Sequence, residues 1–472
     1  MRFDLCIGMK IPKNTGDFSV VSEFVGAQLG NQLRMKRLER IAERLEAQPS
    51  KSLPQALGTV ADREATYRFL NNDSISFEAI LAPHFEATAK RAESHSEVLC
   101  IHDTTEFEFD TPAPRKGLGR LRGKKSPQGF FAHTSLLVAF AESREPLGLL
   151  AVQPWTRTEQ VRQMRRQAGL TEMDFWSQGV ALCEARCQAS LIHIMDRKGD
   201  SYEQYVQLQA EQRRFVIRAC HNRLLADGKK LFDTLSEAPL SVSRCVPLSR
   251  RVASQFLKQK QIYPERHSRL AELKIRATTV STARSGWLRA SFPSTLTLNV
   301  VYVVEENPPQ GEPPVCWYLV TKEPIETPDD VLKIVDIYRT RWLVEELFKA
   351  LKTGCQYERL QLESYDALLR ALAIYFPVAW QLLRLRYLAG AAPMIPATAV
   401  LTRMQIQILR AISGLAFPKS PTVRDAMLAI AARGGHIKNN GDPGWLVLAR
   451  GLHDLLLIEV GWSAAMEAKG DQ

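Results

Sequence analysis

The chain has no CxxC pair, no long uninterrupted apolar run and no internal repeat or low-complexity tract. Its eight cysteines are scattered. Cys183 and Cys187 stand one helical turn apart, yet no second ligand pair follows at zinc-finger spacing, so reduced, buried thiols in a cytosolic protein are the expectation. The opening MRFDLCIGMKIPKNTG lacks the apolar core of a signal peptide. The most apolar stretch, LAIYFPVAWQLL (372–383), is short, holds Pro377 and is flanked by Arg370 and Arg384. It reads as a buried helix, which sets a membrane span aside. Acid is also in short supply: 51 Asp and Glu against 62 Lys and Arg give a net charge of +11. A basic excess across a large chain favours an acidic partner, nucleic acid first, with a merely basic enzyme as the alternative.

What is present points to several domains, because 472 residues exceed one ordinary core. Residues 22–92 read as short helices. LRMKRLERIAERLEAQ (33–48) turns Leu33, Leu38, Ile41 and Leu45 toward a core and Arg34, Lys36, Arg37, Arg40 and Arg44 mostly outward. ADREATYRFLNND (61–73) follows a broken connection. From residue 96 the period changes to that of strands. EVLCIHDTTEFEFD (97–110) reads as one apolar strand running out at His102-Asp103 and then a second, alternating strand. FFAHTSLLVAFA (130–141) and LGLLAVQPW (147–155) are further strands. PRKGLGRLRGKK (114–125), with six basic residues and no acid, reads as a flexible cationic loop suited to phosphates. A helix around 175–188 leads into SLIHIMDRKGD (190–200), an apolar strand ending at Asp196. Strand-rich sequence occupies roughly 213–322, with turn chemistry at NPPQGEPP (307–314), and helices return from 365.

One helix carries an unusual polar stripe. Thr327, Pro328, Asp329 and Asp330 make a strong helix start and Gly354 a natural stop. Within YRTRWLVEELFKALKTG (338–354), Tyr338, Arg341, Glu345 and Lys352 are spaced by three, four and seven residues, so a continuous helix places them on one side. Trp342 borders the stripe, and Leu343, Val344, Leu347, Phe348 and Leu351 fill the buried arc. A salt-bridged solvent face explains such a stripe in isolation. Asp103 and Asp196 add weight to another reading. A divalent cation acting on phosphate needs carboxylates that converge from separate elements, and two strand-end aspartates with a helical glutamate form such a set. Each aspartate alone also suits a turn or a helix cap.

HDTTEF at Asp103, IMDRKGDSY at Asp196 and Y-x2-R-x3-E-x6-K at 338–352 resemble the DDE transposases of the insertion-sequence-four family, most closely the transposon-five type. LGNQLRMKRLERIAERL and the AxYRFLNN pattern around Tyr67 and Arg68 resemble that type's N-terminal end-binding domain. NPPQGEPPVCWYLVTKEPIET resembles the segment before its glutamate helix, and LAIAARGGHIKNN with PGW its C-terminal region. The similarity runs from about residue 25 to 462.

The resemblance implies an α/β, ribonuclease-H-like catalytic core with a β-rich insertion, flanked by a helical N-terminal DNA-binding domain and a helical C-terminal domain. The boundaries are 1–92 for end binding, 93–364 for catalysis with the insertion at about 213–322, and 365–472 for dimerisation. It implies that Asp103, Asp196 and Glu345 are catalytic and bind two Mg²⁺ ions, for which Mn²⁺ can substitute. Tyr338, Arg341, Lys352, Lys349 and Arg218 would contact DNA beside the cut, and Arg34, Arg37 and Arg68 would contact transposon ends. Trp317 matches the tryptophan that stacks on a flipped base when the strand closes into a hairpin, and Trp342 a second aromatic nearby. The implied activity is cut-and-paste transposition by a cytoplasmic bacterial homodimer acting on double-stranded DNA, with no membrane partner. A nuclease without strand transfer and a DNA-binding inhibitor are the alternatives. Two departures stand out: Phe130 and Phe131 replace an expected pair of tryptophans, and DRKGD puts Lys198 where the family more often has an acid.

Overall fold

The computed structural model describes residues 19–470 apart from 111–112, 124–125, 141–143, 169–170, 249–253, 257–260, 264, 414–416 and 438–440. Four N-terminal helices come first: α1 (Gln32–Ala47), α2 (Leu53–Ala56), α3 (Val60–Leu70) and α4 (Phe77–Ala92). Strands β1 (Glu97–Phe109), β2 (Gly119–Arg120), β3 (Gln128–Ala139) and β4 (Pro146–Trp155) precede helices α5 (Glu159–Gln167) and α6 (Asp174–Arg186). Next are β5 (Ser190–Met195), α7 (Tyr202–Ala210), β6 (Arg214–Arg218), α8 (Leu231–Glu237) and β7 (Leu240–Leu248). A small pair, β8 (Ser254–Phe256) and β9 (Gln261–Tyr263), leads to β10 (Arg269–Ala283), β11 (Thr295–Glu305) and β12 (Cys316–Thr321). The chain ends in α9 (Pro328–Arg339), α10 (Trp342–Lys349), α11 (Tyr365–Ala391), α12 (Arg403–Ser413), α13 (Val423–Arg433) and α14 (Trp445–Gly470). The result is a mixed β-sheet core between helical terminal regions, as expected of a ribonuclease-H-like fold.

Two compact units divide this chain. The first, helical, unit comprises Met1–Ala87, Phe109–Leu118 and Glu346–Gln472. Asn31 caps α1 by accepting from the Arg34 amide, and Leu38, Ile41 and Leu45 are buried beneath it. Leu33, expected inward, is instead 79% exposed, because the first turn of α1 has no core against it. The buried Asp62 of α3 accepts from Arg37 (3.1 Å) and Arg40 (2.8 Å), stapling α1 to α3. Helix α11 is apolar and long enough to cross a membrane by composition, yet 83% of its window is buried inside the protein. Its Arg370 is buried as well, donating to the carbonyls of Leu70 (2.8 Å) and Ile75 (2.6 Å), and so satisfies the open C-terminal end of α3.

The second unit, Thr88–Glu108 and Gly119–Glu345, is built on a ten-stranded sheet in the order β2-β3-β1-β5-β6-β12-β11-β10-β7, with β4 also paired to β3. Its centre, β1-β5-β6, is parallel, and β12, β11, β10 and β7 follow antiparallel. The strand-rich stretch at 213–322 therefore extends the sheet itself: β6 is a core strand, and the later strands add to its free edge. Two expectations fail here. β1 is one strand through residue 109, and not two, because it keeps β3 beside it after β5 has ended at Met195. The cationic loop is also less free than its composition implies. Arg115 donates to the Leu360 carbonyl (3.1 Å), Arg120 donates to the Ser126 carbonyl (2.9 Å) and Arg122 pairs with Glu106. Lys124 and Lys125 lie outside the described residues.

The stripe-bearing helix is broken. Thr327 and Asp330 form the reciprocal cap that starts α9. At Thr340 the hydroxyl bonds back to the Asp336 carbonyl (3.1 Å), and the Thr340, Arg341 and Leu343 amides each reach back three residues instead of four. α10 then restarts at Trp342, and Ala350–Gly354 is a π-helical turn closed by the Cys355 amide on the Ala350 carbonyl (2.8 Å). The helix is interrupted between Tyr338 and Glu345, yet Arg341 and Glu345 still pair at i,i+4 spacing.

Candidate active site

The parallel register of β1 and β5 matches Cys100 with His193, Ile101 with Ile194 and His102 with Met195. The next residue in each segment is an aspartate: Asp103, within β1, and Asp196, just past the end of β5, so two carboxylates come together where β5 stops. Asp103 is 8% exposed; its Oδ1 accepts from the Thr104 amide (2.7 Å) and its Oδ2 from Arg341 Nη1 (3.3 Å). Asp196 caps a short turn, Arg197–Gly199, accepting from the Lys198 amide at 2.9 Å. Glu345 of α10 takes the other arm of the Arg341 guanidinium. The break at Thr340 thus puts Arg341 at the start of α10, where it bridges a strand carboxylate and a helix carboxylate.

The electrostatics are those of crowded acids. Burial, then the charge of Asp196, pushes the Asp103 carboxyl up to about 7, against the pull of Arg341 and Lys198. Burial works against the Arg341 charge, yet Tyr338, Glu345 and Asp103 hold its pKa above the ordinary value. Among the described residues, groups of three ligand atoms within 4.8 Å are Cys100–His102–His193 and Asp200–Cys220–His221. The carboxylates spread around Arg341 are not such a group.

Beside this edge Tyr338 is buried, and burial raises its phenol despite Arg341 and Arg218. Its ring meets Trp317 edge-on at 5.4 Å. Arg218 donates to the Cys316 carbonyl (3.0 Å) and, with Trp317, Arg266, Arg339 and Pro314, lines a cavity of about 250 Å³. Trp342 is 51% exposed. The remaining residues singled out from the sequence lie in the helical unit. There Lys349 pairs with Glu346 (2.6 Å) and Lys352 with Glu358 (3.4 Å). Arg34 donates to the Leu29 carbonyl (3.0 Å), Arg37 is held by Asp62, and Arg68 is exposed in the last turn of α3. Phe130 and Phe131 are buried core residues, Phe131 stacking on Trp155 at 5.2 Å.

Sequence reasoning overlooked two features. Asp200, buried, gathers the Cys220 amide (2.6 Å), the His221 amide (3.0 Å), the Tyr205 hydroxyl (2.7 Å) and Arg223, and so fixes the loop that follows Asp196. Arg266 and Arg339 join the Trp317 cavity from distant positions, for which no local pattern exists.

Two families match parts of the chain: residues 20–75 match the transposase DNA-binding family, and residues 184–379 match the transposase DDE domain. The second span takes in Asp196 and Glu345; Asp103 lies ahead of it and is placed by the β1–β5 register. The cryo-EM structure of a piggyBac transposase synaptic complex with hairpin DNA is 10% identical, over 79% of this chain and 73% of that one, with a TM-score of 0.37. The two family matches give the chain the domain architecture of a DDE-type DNA transposase, a DNA-binding segment followed by a DDE domain.

Proposed function

We propose that this protein is a cut-and-paste transposase of the transposon-five type that binds transposon ends, cleaves them and joins them to target DNA. The observation that carries the reading is the end of β5, where Asp196 meets Asp103 of the neighbouring β1 and Arg341 ties Asp103 to Glu345. The donor set fits a hard divalent cation, Mg²⁺ or Mn²⁺: three carboxylates, one of them held up to about 7 by burial and by its acidic neighbour. Asp103, Asp196 and Glu345 would hold two such ions. When bound, they supply an activated water or 3′-hydroxyl and charge stabilisation at the leaving oxygen of an in-line phosphoryl transfer.

The chain's own groups account for the rest. Arg341 stays charged beside the carboxylates and offers a guanidinium to the scissile phosphate as its acidic partners are taken up. Lys198, at the same edge, adds a second cation. The Trp317 cavity, with the buried Tyr338 at its side and the Arg218 and Arg339 guanidinium groups in its wall, suits one unpaired base and its phosphate. That supports a hairpin route in which Trp317 stacks the displaced base. Arg34 and Arg68 would grip the transposon end through the segment matching the DNA-binding family. Residues 365–472 would supply the contacts of a homodimer in the synaptic complex.

A supercoiled-plasmid integration assay tests this, using DNA that carries the inverted repeats flanking the gene. Joined product is expected with Mg²⁺. Released ends that never join identify a nuclease of the same fold, and end binding without cleavage identifies a DNA-binding inhibitor; either result removes the proposal.

A further inference from the structure

On the face of β1 opposite Asp103, the same region of the sheet carries a second and chemically different donor set. Strand alternation puts Cys100 and His102 on one face of β1. The register sets His193 of β5 directly beside Cys100. All three side chains are fully buried. Cys100 Sγ is 3.4 Å from His102 Nε2, and His102 Nε2 is 2.9 Å from His193 Nδ1. Helix α6 adds the buried Cys183, whose thiol hydrogen-bonds with that of Cys100.

The ring nitrogens facing away from this cluster are both engaged by oxygen. His102 Nδ1 meets Ser135 Oγ at 3.0 Å, and His193 Nε2 meets Glu184 Oε1 at 2.9 Å. Glu184 is itself held by Arg213 at 2.6 Å. Metal-ligating histidines have this arrangement: one nitrogen faces the ion while the other donates to an oxygen that fixes tautomer and orientation. A plain hydrogen-bonded chain would use the same histidines, but it crowds the Cys100 sulfur and the His193 ring onto a single nitrogen of His102. Tetrahedral zinc, with bonds of about 2.0–2.1 Å to nitrogen and 2.3 Å to sulfur, sets N–S pairs roughly 3.6 Å and N–N pairs roughly 3.3 Å apart, so the 3.4 Å Cys100–His102 separation fits closely and the 2.9 Å His102–His193 separation opens by about 0.4 Å as the ion enters. The Asp200–Cys220–His221 group fails by the same standard, because the Asp200 oxygens are already filled by backbone amides, Tyr205 and Arg223.

We propose that Cys100, His102 and His193 form a zinc site that pins β1 to β5 beside Asp103 and Asp196, with Cys183 packed against the Cys100 sulfur. Neutral imidazoles and a thiolate are the binding forms, so Cys100 gives up its thiol proton to solvent as the ion enters. The ion would replace a weak thiol–imidazole contact by bonds that fix the strand pair beside the carboxylates. Zinc is chosen over magnesium because one sulfur and two nitrogen donors in a dry, buried cluster suit a borderline-soft ion.

The full chain, without DNA, is stripped of metal and reloaded with Zn²⁺ or Co²⁺. One zinc per chain by elemental analysis is expected, together with a thiolate-to-cobalt charge-transfer band. Cys100→Ser and His193→Gln should lose both, Glu184→Gln should weaken zinc binding by about 10- to 100-fold, and Cys245→Ser, at an exposed position, should change neither. Asp103→Asn should keep the zinc, which separates this site from the carboxylate edge whatever the fate of the transposase reading. Metal content unchanged in Cys100→Ser and His193→Gln overturns the proposal. Should those variants fail to fold, wild-type protein lacking the charge-transfer band overturns it equally.

Discussion

Asp103 on β1 and Asp196 just past β5 lie within three residues of Cys100, His102 and His193, and the two sets are opposite in chemistry. The outer set is all oxygen and stands where β5 ends, beside Arg341 and Lys198. The inner set is nitrogen and sulfur, fully buried. Their titration runs in opposite directions. Burial and a neighbouring acid push Asp103 up to about 7, whereas burial, then His193 and His133, pushes His102 well below 6.5. The difference teaches that strand position selects chemistry here: where β5 stops, charge gathers, and on the opposite, buried face only neutral donors are tolerated.

The comparison breaks most visibly if the outer set is removed. Asp103→Asn, Asp196→Asn and Glu345→Gln should each lower Mg²⁺-dependent cleavage by at least about 10²–10³-fold while leaving end binding intact, as gel assays of both steps would show. A second prediction uses the opposite titrations, measured as thermal stability against pH in chelator. With its folded pKa raised from 3.8 to about 7, Asp103 gives stability that is present below about pH 4 and lost as pH rises through 7. Asp103→Asn should therefore be more stable than wild type at pH 8, by about 2–4 kcal/mol, and nearly equal to it at pH 4. His102, with a depressed pKa, gives stability that is present above about 6.5 and lost on acidification, so His102→Gln should flatten the acid limb only. Equal profiles for both variants would erase the distinction between the two sets.

Away from the edge the expected effects shrink. Trp317→Ala should leave first-strand nicking unchanged and slow hairpin formation by roughly 5- to 150-fold, the worth of about 1–3 kcal/mol of base stacking. Normal hairpins on a denaturing gel would take the Trp317 cavity out of the mechanism. Arg68→Ala should weaken end binding modestly and lower the salt dependence of log K by about one. An unchanged slope would mean that this exposed arginine meets no phosphate.

Much of the frame is local and so was legible. The apolar strand signals of 130–139 and 147–155, the apolar run ending at Asp196, and the Thr327–Asp330 cap depend on neighbours in sequence, and each forms as its pattern requires. What escaped depends on partners far along the chain. β1 continues past Asp103 because β3 stays beside it, and no reading of EVLCIHDTTEFEFD alone could supply β3. The helix break at 340–341 comes from a single threonine bonding back to Asp336, a choice that helical periodicity does not register. Cys183 and Cys187 drew notice as a pair one turn apart, whereas the cysteine that meets histidines is Cys100, with His102 two residues on. Same-face spacing on a strand was the available signal; the β1–β5 register that brings in His193 was not.

The most direct test of the central claim compares wild type with Glu345→Gln on DNA bearing the element's own ends, following Mg²⁺-dependent strand cleavage in one reaction series. The expected result is cleavage by wild type, equal end binding by both proteins, and no product from Glu345→Gln above the metal-free background. Product from Glu345→Gln at the wild-type rate would contradict the assignment of the β1–β5 edge and α10 as the cutting site.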